Sequence, residues 1–272
     1  MISSINVPVV IPYYRAPEAL EKCLAAIRDQ SDITTDVFVR DNSEDNILFT
    51  KAVNEGIRKF AYTGVAQYIL VLNQDAYLRP HCLSGLVQTM HNHPTAGIVI
   101  PVSVGSDNQI ASFAALQAYP WGMSRSGSLG DVPKEPYATY WANGACMLLR
   151  VKMIHEIGLL DENMRFICSD SDYSFTARSR GWDVIVCPNA LVEHTLNSSG
   201  SVSNHMIEEV KLSDQLYFGQ KWLSADLYRR LAFEGQSLSP EVIAKEISQS
   251  HHNLVAMRKY FASTQANIHS ES

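Results

Sequence analysis

The chain lacks the features that would assign it to a membrane, an export route or a nucleic-acid partner. None of its apolar runs approaches the roughly 18 to 20 residues of a membrane-spanning helix. Its first residues, MISSINVPVVIPYYR, carry no basic start, and their apolar run breaks at Pro12, so they predict a first strand and not an export signal. The formal net charge is −6, whereas a general nucleic-acid binder usually has a basic surplus. We therefore expect a soluble or peripheral cytoplasmic protein, with no nucleic acid among its partners.

Paired cysteines are also missing. The chain has five cysteines, which lie far apart and form no C-x-x-C pair: Cys23, Cys82, Cys146, Cys168 and Cys187. This spacing favours reduced, packed thiols over a disulfide framework or a zinc site.

Strand and helix patterns alternate from the N-terminus onward. The runs VPVVIPYY, DVFVRDN, QYILVLNQD and AGIVIP are typical of strands, and the segments between them carry apolar residues at helical spacing. This alternation predicts an α/β fold with a mostly parallel central sheet flanked by helices. With 272 residues, of which 46% are hydrophobic, the chain is long enough for one such domain and a modest appendage.

The later part of the chain is less regular. From about Val102 to Ala138 it is irregular and rich in Gly, Ser and Pro, which is typical of a binding segment or a mobile one. A strand and short helix (YWANGACMLLRVKMIHEIGLLDENM), a second helix (SDSDYSFTARSRGW), a strand (DVIVCP) and a polar loop (ALVEHTLNSSGS) follow. After about Asn204 the composition becomes helical. We therefore predict an α/β domain over residues 1–203 and a C-terminal helical appendage over residues 204–272.

Polar residues follow several of the predicted strands. Three of these residues, Asp41, Asp75 and His194, each allow two interpretations. Ligands bind at the carboxyl ends of parallel strands, where Asp41 and Asp75 stand. Asp41 either accepts a hydrogen bond from a pyrimidine ring N–H or belongs to an Asp-Asn-Ser turn. Asp75 either coordinates a divalent cation that bridges two phosphates or belongs to a turn before the next helix. His194 is either a surface residue or, if the fold brings it near Asp75, a further ligand.

The segment MRFICSDSDYSF places two carboxylates directly behind apolar residues. In one interpretation Ser169 is the N-cap of a helix, forms a capping box with Asp172, and leaves Asp170 favourable to the helix dipole. In the other, Asp170 is held in a site because a reaction needs a base. A calcium loop is excluded, because Phe175 stands where glycine is required and Gly181 where glutamate is required.

Seven short motifs occur in order over about residues 7 to 200. They are VPVVIPYYRAPEALEKCLAAI, VFVRDNSEDN, FTKAVNEGI, ILVLNQDAYL, WANGACMLLRVKMIHEIGLLDENM, CSDSDYSFTARSRGW and VEHTLNSSGS. Together they resemble the family-2 glycosyltransferases with the GT-A fold, particularly the rhamnosyltransferase-like bacterial branch. The second resembles the Asp-Asn-Gly-Ser signature of that family, the fourth its Leu-Asn-Pro-Asp metal motif and the sixth its Glu-Asp-x-Asp helix.

The resemblance implies a metal-dependent, inverting transfer of a sugar from a nucleoside-diphosphate sugar, with UDP or dTDP as the nucleotide. The implied acceptor is a hydroxyl of a glycan or lipid-linked glycan in bacterial surface polysaccharide assembly. The resemblance makes Asp170 the catalytic base and assigns Asp75 and His194 to a Mg²⁺ or Mn²⁺ ion. It further implies that a group of residues contacts the donor: Pro12, Tyr14, Asp41, Asn54, Asn73 and Gly144. From its position alone, Gly144 equally suits the plain start of a strand.

The sequence departs from the family pattern at two positions beside the implied site. Ser169 stands where the family usually has glutamate, and Gln74 where many relatives have proline or aspartate. A catalytically inactive sugar-nucleotide or glycan-binding module of the same fold is therefore the alternative hypothesis. A nucleotidyltransferase is disfavoured, because PYYRAPEAL follows the first strand without the glycine and lysine of a phosphate loop.

The C-terminal stretch LYFGQKWLSADLYRRLAF interleaves aromatic and basic residues. It is consistent with a packing helix or a homodimer contact, and also with peripheral association at the inner face of a membrane that carries lipid-linked glycans. The absence of a dense polybasic cluster favours packing or dimerisation.

Overall fold

The computed structural model of the protein describes residues 5–31, 33–105, 110–115, 124–194, 205–222, 241, 244–245, 248–249 and 251–259. Its strands are β1 (Asn6–Tyr13), β2 (Thr34–Asp41), β3 (Tyr68–Leu72), β4 (Ala76–Leu78), β5 (Ala96–Val104), β6 (Ile110–Ala115), β7 (Ser124–Gly127), β8 (Tyr137–Ala138), β9 (Cys146–Arg150) and β10 (Asp183–His194). Its helices include α1 (Pro17–Arg28), α2 (Leu48–Ala61), α3 (Cys82–Asn92), α4 (Val151–Ile157), α5 (Ser169–Ser179) and α6 (His205–Trp222), with a 3₁₀ turn at Leu129–Asp131. Residues 251–259 are also helical.

The strands form one mixed sheet whose main path runs β2–β1–β3–β9–β5–β10–β4. The first three of these strands are parallel to one another. Because β9 is antiparallel to both β3 and β5, β5 points the same way as β3, and β10 is parallel to β5. Only β9 and β4 of this path run in the opposite direction. The predicted α/β fold with a mostly parallel central sheet is confirmed for this path.

β3 shows how both faces of the sheet are buried. All five of its residues are buried, and their side chains alternate between two apolar clusters. Ile69 and Val71 belong to a cluster that includes residues of α2, α4 and α5. The cluster on the other face contains Leu70 together with residues of α1 and α3. Helices therefore cover both faces of the sheet at β3, so a ligand can reach this strand only at its ends.

α2 approaches β1 closely at Gly56. A Cβ atom at this position would clash with the side chain of Val10, so the missing side chain lets the helix lie against the strand. The close packing fixes the position of α2, whose Thr50 and Asn54 hold a segment that precedes α5.

The expectation of an irregular segment between Val102 and Ala138 was wrong in part. β5 continues to Val104, and the described residues beyond it include β6 and β7, which pair antiparallel beside β5. Residues 106–109 and 116–123 of this segment lie outside the described residues. The strands were missed because a segment rich in glycine and serine has too weak an apolar alternation to indicate them.

β10 is longer than the sequence predicted. The strand was expected over DVIVCP with a polar loop after it, whereas β10 continues to His194 through an irregularity in its pairing with β5 between Cys187 and Leu191. The end of β10 pairs antiparallel with β4, a three-residue strand that the sequence did not indicate. His194 is therefore a strand residue, and the rest of the predicted loop, residues 195–201, lies outside the described residues.

After Asn204 the chain forms α6, which is described up to Trp222. Near the C-terminus, Leu254 is buried and Arg258 Nε lies 2.9 Å from Glu209 Oε1 of α6. The stretch LSADLYRRLAF and the last residues, QANIHSES, lie outside the described residues. The domain division at residue 203 stays a prediction. Every helix within the described ranges is too short or too polar to cross a bilayer.

Candidate functional site

Asp75 and His194 meet at the carboxyl edge of the sheet. Asp75 lies in the turn between β3 and β4, and His194 is the last residue of β10. Because these strands pair with His194 opposite Ala76, the two side chains are neighbours. His194 Nε2 lies 3.5 Å from Asp75 Oδ1, and both residues are buried. The sequence made His194 a candidate ligand only if the fold brought it near Asp75, and the pairing of β4 with β10 does so.

The donor atoms of this pair fit a divalent cation. A carboxylate oxygen and an imidazole nitrogen are both ligands that Mn²⁺ accepts. His194 Nδ1 is buried and has no hydrogen-bond partner among the described residues, and such an atom costs about 1 to 3 kcal/mol that a bound ligand offsets. No group of three or more His, Cys, Asp and Glu within the described ranges forms a site from the protein alone. Two protein ligands leave room for substrate phosphates, as is usual for Mg²⁺ and related ions.

Gln74 connects this turn to the loop that follows β1. Its Oε1 accepts a hydrogen bond from the Tyr14 N–H at 2.7 Å, and its Nε2 donates to the Tyr14 carbonyl at 3.2 Å. Gln74 is buried, whereas Tyr14 is 40% exposed. The sequence analysis noted Gln74 only as a departure from the family pattern. The one signal for this role is the chemistry of the side chain. A side-chain amide has both a donor and an acceptor, so it can bond the N–H and the carbonyl of one residue at the same time.

Asp41 ends β2 in a tight turn. Its Oδ1 accepts the Ser43 N–H at 2.8 Å, so the turn interpretation of Asp-Asn-Ser is observed. Arg15 Nε and Nη2 in turn donate to the Ser43 carbonyl at 3.0 and 2.9 Å. The Ser43 hydroxyl and N–H hold the pKa of Asp41 below its usual range. The result is an exposed, ionised carboxylate opposite Tyr13 of β1, which can also accept a hydrogen bond from a ligand.

Asp170 is the second residue of α5, and backbone N–H groups hold both of its oxygens. The Gly144 N–H donates to Oδ2 and the Ser171 N–H to Oδ1, each at 2.8 Å. The side chain is half-buried. Burial raises the pKa of Asp170, and the bonds from Gly144 and Ser171 limit that rise. A fixed carboxylate with a raised pKa is suited to accepting a proton.

The start of α5 differs from the predicted cap. The N-cap is Cys168, whose φ of 68° is left-handed, and no side chain caps the helix. Ser169 is therefore inside the helix, and the capping-box interpretation was wrong. Its buried hydroxyl has no hydrogen-bond partner among the described residues. The left-handed turn at Cys168 starts the helix one residue earlier than a serine N-cap would.

Asp170 and Asp75 are tied together through the start of β9. The Asn73 N–H donates to the Ala145 carbonyl at 2.9 Å. Ala145 adjoins Gly144, whose N–H donates to Asp170, and Asp75 follows Asn73 by two residues. A short path of backbone hydrogen bonds therefore brings the two carboxylates to one edge of the sheet.

Asn54 holds a neighbouring turn. Its Nδ2 donates to the Leu160 carbonyl at 2.9 Å and to Glu162 Oε1 at 3.0 Å, and its Oδ1 accepts the Leu160 N–H at 3.1 Å. These bonds give Asn54 a structural role between α2 and the segment before α5. A contact between Asn54 and the donor stays a prediction, as does one with Pro12, which is half-buried in β1 opposite Arg40.

Comparison with solved structures identifies the class of fold. A crystal structure of GalNAc-T7 with UDP, GalNAc and Mn²⁺ matches with a TM-score of 0.57 and 13% identity over 91% of this chain and 55% of that chain. A crystal structure of S. aureus TarS 1-349 matches with a TM-score of 0.54 and 11% identity over 92% of this chain and 71% of that chain. The chain thus spans about half the length of the GalNAc-T7 chain. Its fold is that of the GT-A glycosyltransferases.

A family model described as glycosyltransferase like family 2 matches residues 48–208. The chain therefore belongs to glycosyltransferase family 2, as its motifs indicated. The matched range includes Asp75, Gly144, Asp170 and His194 but not Asp41. No curated protein matches the chain. The family model names no branch, so the rhamnosyltransferase-like assignment stays a prediction.

Proposed function

We propose that the protein transfers a sugar with inversion from a nucleoside-diphosphate sugar to a hydroxyl of a glycan or lipid-linked glycan, in the cytoplasm, during bacterial surface polysaccharide assembly. The acceptor oxygen forms a bond to the anomeric carbon, and the bond from that carbon to the diphosphate oxygen breaks. The diphosphate leaves with the electron pair. The observation that carries the proposal is the Asp170 carboxylate, fixed by Gly144 at the sheet edge that also holds Asp75 and His194.

Asp170 is the proposed general base. The acceptor hydroxyl must lose its proton as it attacks an oxocarbenium-like centre, and a carboxylate within hydrogen-bond reach takes that proton. Such a base contributes about 10² to 10⁴ in rate. The raised pKa of Asp170 increases its basicity, and the Gly144 N–H fixes the direction of the carboxylate. Ser169 adds no second charge beside the base, which leaves Asp170 to act alone.

Asp75 and His194 would hold the divalent cation, Mg²⁺ or Mn²⁺. When bound, the ion supplies Lewis-acid stabilisation of the departing diphosphate. The GalNAc-T7 structure, obtained with UDP and Mn²⁺, supports this class of cofactor for the present chain. The role of Asp75 and His194 is to bring a carboxylate and an imidazole together at the sheet edge where the diphosphate is expected.

The nucleotide is proposed to bind along the ends of β1 and β2, with UDP or dTDP as the donor nucleotide. The exposed Asp41 carboxylate is suited to a pyrimidine N–H, and the exposed ring of Tyr14 lies on the loop that Gln74 fixes. Asn73 and Gly144 follow along the same edge, where small or amide-bearing residues let a sugar approach the backbone.

The test separates donor binding from chemistry. Thermal-shift measurements with UDP, dTDP and GDP, each with and without Mn²⁺, identify the nucleotide, because a ligand of the native state raises its stability by RT ln(1 + [L]/Kd). Nucleoside-diphosphate release from the matching sugar donors then measures turnover of the wild type and of Asp170→Asn. We expect the variant to keep the nucleotide-induced shift and to lose about 10² to 10⁴ of the rate. Equal turnover by the two proteins would refute the assignment of the base. Nucleotide binding by a wild type without turnover on any acceptor would instead identify an inactive binding module.

A further inference from the structure

We infer that α6 positions the catalytic base, with Asp214 and Trp222 as its positioning residues. The inference rests on the proposed function, because it concerns how Asp170 is held in place for catalysis. Most of α6 lies beyond the matched range, which ends at residue 208. For this stretch the sequence favoured a packing or dimerisation helix over one that lies on a membrane.

Asp214 anchors the segment that leads into α5. Its Oδ2 accepts the Phe166 N–H at 2.8 Å and the Ile167 N–H at 3.0 Å. The residue is fully buried, which is unusual for a carboxylate. A buried carboxylate is costly unless hydrogen bonds compensate it, and here they come from the two residues just before the left-handed Cys168. Asp214 thereby fixes the turn that sets where α5 begins.

Trp222 and Lys221 hold α5 from the side. Trp222 Nε1 donates to Asp172 Oδ1 at 2.5 Å, and Lys221 Nζ lies 2.8 Å from the same oxygen. Lys221 also bridges to Asp161 Oδ2 at 2.8 Å. Burial raises the pKa of Asp172, and the Lys221 and Trp222 donors oppose that rise. Asp172 is thus a structural anchor, although the sequence places it beside the base.

The two acids of α5 point in different directions. Residues two positions apart on an α-helix are rotated by roughly 200° about its axis, so Asp170 and Asp172 lie on nearly opposite sides. Asp170 contacts Gly144 of the sheet edge, and Asp172 contacts α6. A rotation of α5 that carries Asp170 away from Gly144 therefore also breaks the bond to Trp222.

Aromatic contacts complete the hold of α6 on α5. The Phe175 ring packs against Phe218 and Trp222, with centroid distances of 5.6 and 5.7 Å. Such contacts resist separation of the helices but leave sliding and rotation less restricted, because apolar attraction is non-directional. The directional bonds from Asp214 and Trp222 supply that restriction. Since a misplacement of about 1 Å at a reacting centre can cost about 10²-fold in rate, this restriction matters for the base.

The experiment compares Asp214→Ala with Asp214→Asn and Trp222→Ala with Trp222→Phe in the full chain. Asparagine keeps an oxygen for the Phe166 and Ile167 N–H groups, and phenylalanine keeps the ring but not the N–H. The measurements are kcat and KM for nucleoside-diphosphate release from UDP-glucose, UDP-galactose, UDP-N-acetylglucosamine and dTDP-rhamnose, with water as the acceptor. Amide hydrogen exchange over residues 164–172 and a carboxyl NMR titration of Asp170 are measured on the same proteins and need no substrate.

We expect Asp214→Ala to lower kcat by about ten- to hundredfold with an unchanged donor KM. Faster exchange over residues 164–172 and a displaced titration of Asp170 should accompany the loss. Asp214→Asn should restore kcat to within about threefold of the wild type. Trp222→Phe should lower kcat although it retains the aromatic packing. If Asp214→Ala unfolds, Trp222→Phe and Asp214→Asn still decide the question through the Asp170 titration.

The inference is overturned if Trp222→Phe and Asp214→Ala fold and leave both kcat and the Asp170 titration at wild-type values. It is equally overturned if kcat and donor binding fall together in every variant, since that pattern indicates general damage. The proposed function fails separately, by full turnover in Asp170→Asn. A chain in which Asp170→Asn is inactive and Asp214→Ala is fully active would keep the function and reject only the positioning role.

Discussion

Gly144→Ala offers a graded test of the base, because the change adds one methyl group beside the Asp170 carboxylate. The new Cβ would lie 3.1 Å from Asp170 Oδ2, 3.3 Å from Asp170 Cβ and 3.3 Å from Phe49 Cζ. Ordinary contacts of a Cβ begin at 3.4 Å, so the carboxylate must give way by a few tenths of an ångström. The nearest of these atoms belongs to the Asp170 carboxylate, so the largest shift falls on Asp170, with a smaller one on Phe49.

The magnitude follows from the sensitivity of catalysis to position. If a displacement of about 1 Å costs about 10²-fold, a displacement of about 0.3 Å costs roughly fourfold in kcat, or about 0.8 kcal/mol in the activation barrier. In the wild type, the hydrogen bond from Gly144 lowers the pKa of Asp170. The displacement lengthens that bond. Its weakening raises the pKa further, and because only the ionised carboxylate accepts a proton, the acid limb of the pH–rate profile should move to higher pH.

The assay is turnover of the donor identified by thermal shift, measured against pH. Gly85→Ala is the matched control, since a Cβ at that position meets its nearest neighbour at 3.6 Å, an ordinary contact, and lies on α3. The control should keep kcat and the position of the acid limb. A Gly144→Ala protein with wild-type kcat and an unmoved acid limb would refute the view that Gly144 and Asp170 form one catalytic unit.

Three further predictions concern pH, metal binding and packing. Wild-type transfer should show an acid limb above pH 3.8, because desolvation raises the pKa of Asp170 above that ordinary value; a limb at or below it would contradict the assignment of Asp170 as the base. Asp75→Asn should abolish the Mn²⁺-dependent part of the stabilisation by UDP in a thermal-shift assay while the metal-free part survives, and an unchanged Mn²⁺ effect would remove Asp75 from the metal site. Gly56→Ala should lower the free energy of unfolding in urea by about 1 to 3 kcal/mol, since its Cβ would clash with Val10. An unfolding midpoint equal to that of Gly85→Ala would show that α2 adjusts freely.

The sequence predicted much of the fold, because strong local patterns dominate it. The buried strand YILVL and the amphipathic α2 have apolar periodicities that allow few alternatives, and both elements formed where expected. β4 escaped notice because three residues carry no period. Its pairing with β10 is a long-range contact, and the sequence around His194 alone indicated a polar loop.

The candidate site was predicted by residue type and not by arrangement. Asp75, Asp170 and His194 were chosen from motifs, but the distance between Asp75 and His194 depends on the register of β4 with β10. Gln74 and Asp214 were not foreseen, because each acts on backbone groups far along the chain. Such partners carry no local sequence signal. Asp172 was expected to cap a helix and instead contacts Trp222, since the helix begins one residue before the predicted start.

The backbone bond from Asn73 to Ala145 sets a limit on how this protein can diversify. Substitutions replace side chains but leave main-chain donors and acceptors in place, so the spacing between Asp75 and Asp170 withstands mutation at most neighbouring positions. The loop that follows β1, by contrast, is held by replaceable side chains, the amide of Gln74 and the guanidinium of Arg15. If the proposed function holds, nucleotide preference should therefore change more readily during evolution or directed selection than the spacing of the two carboxylates.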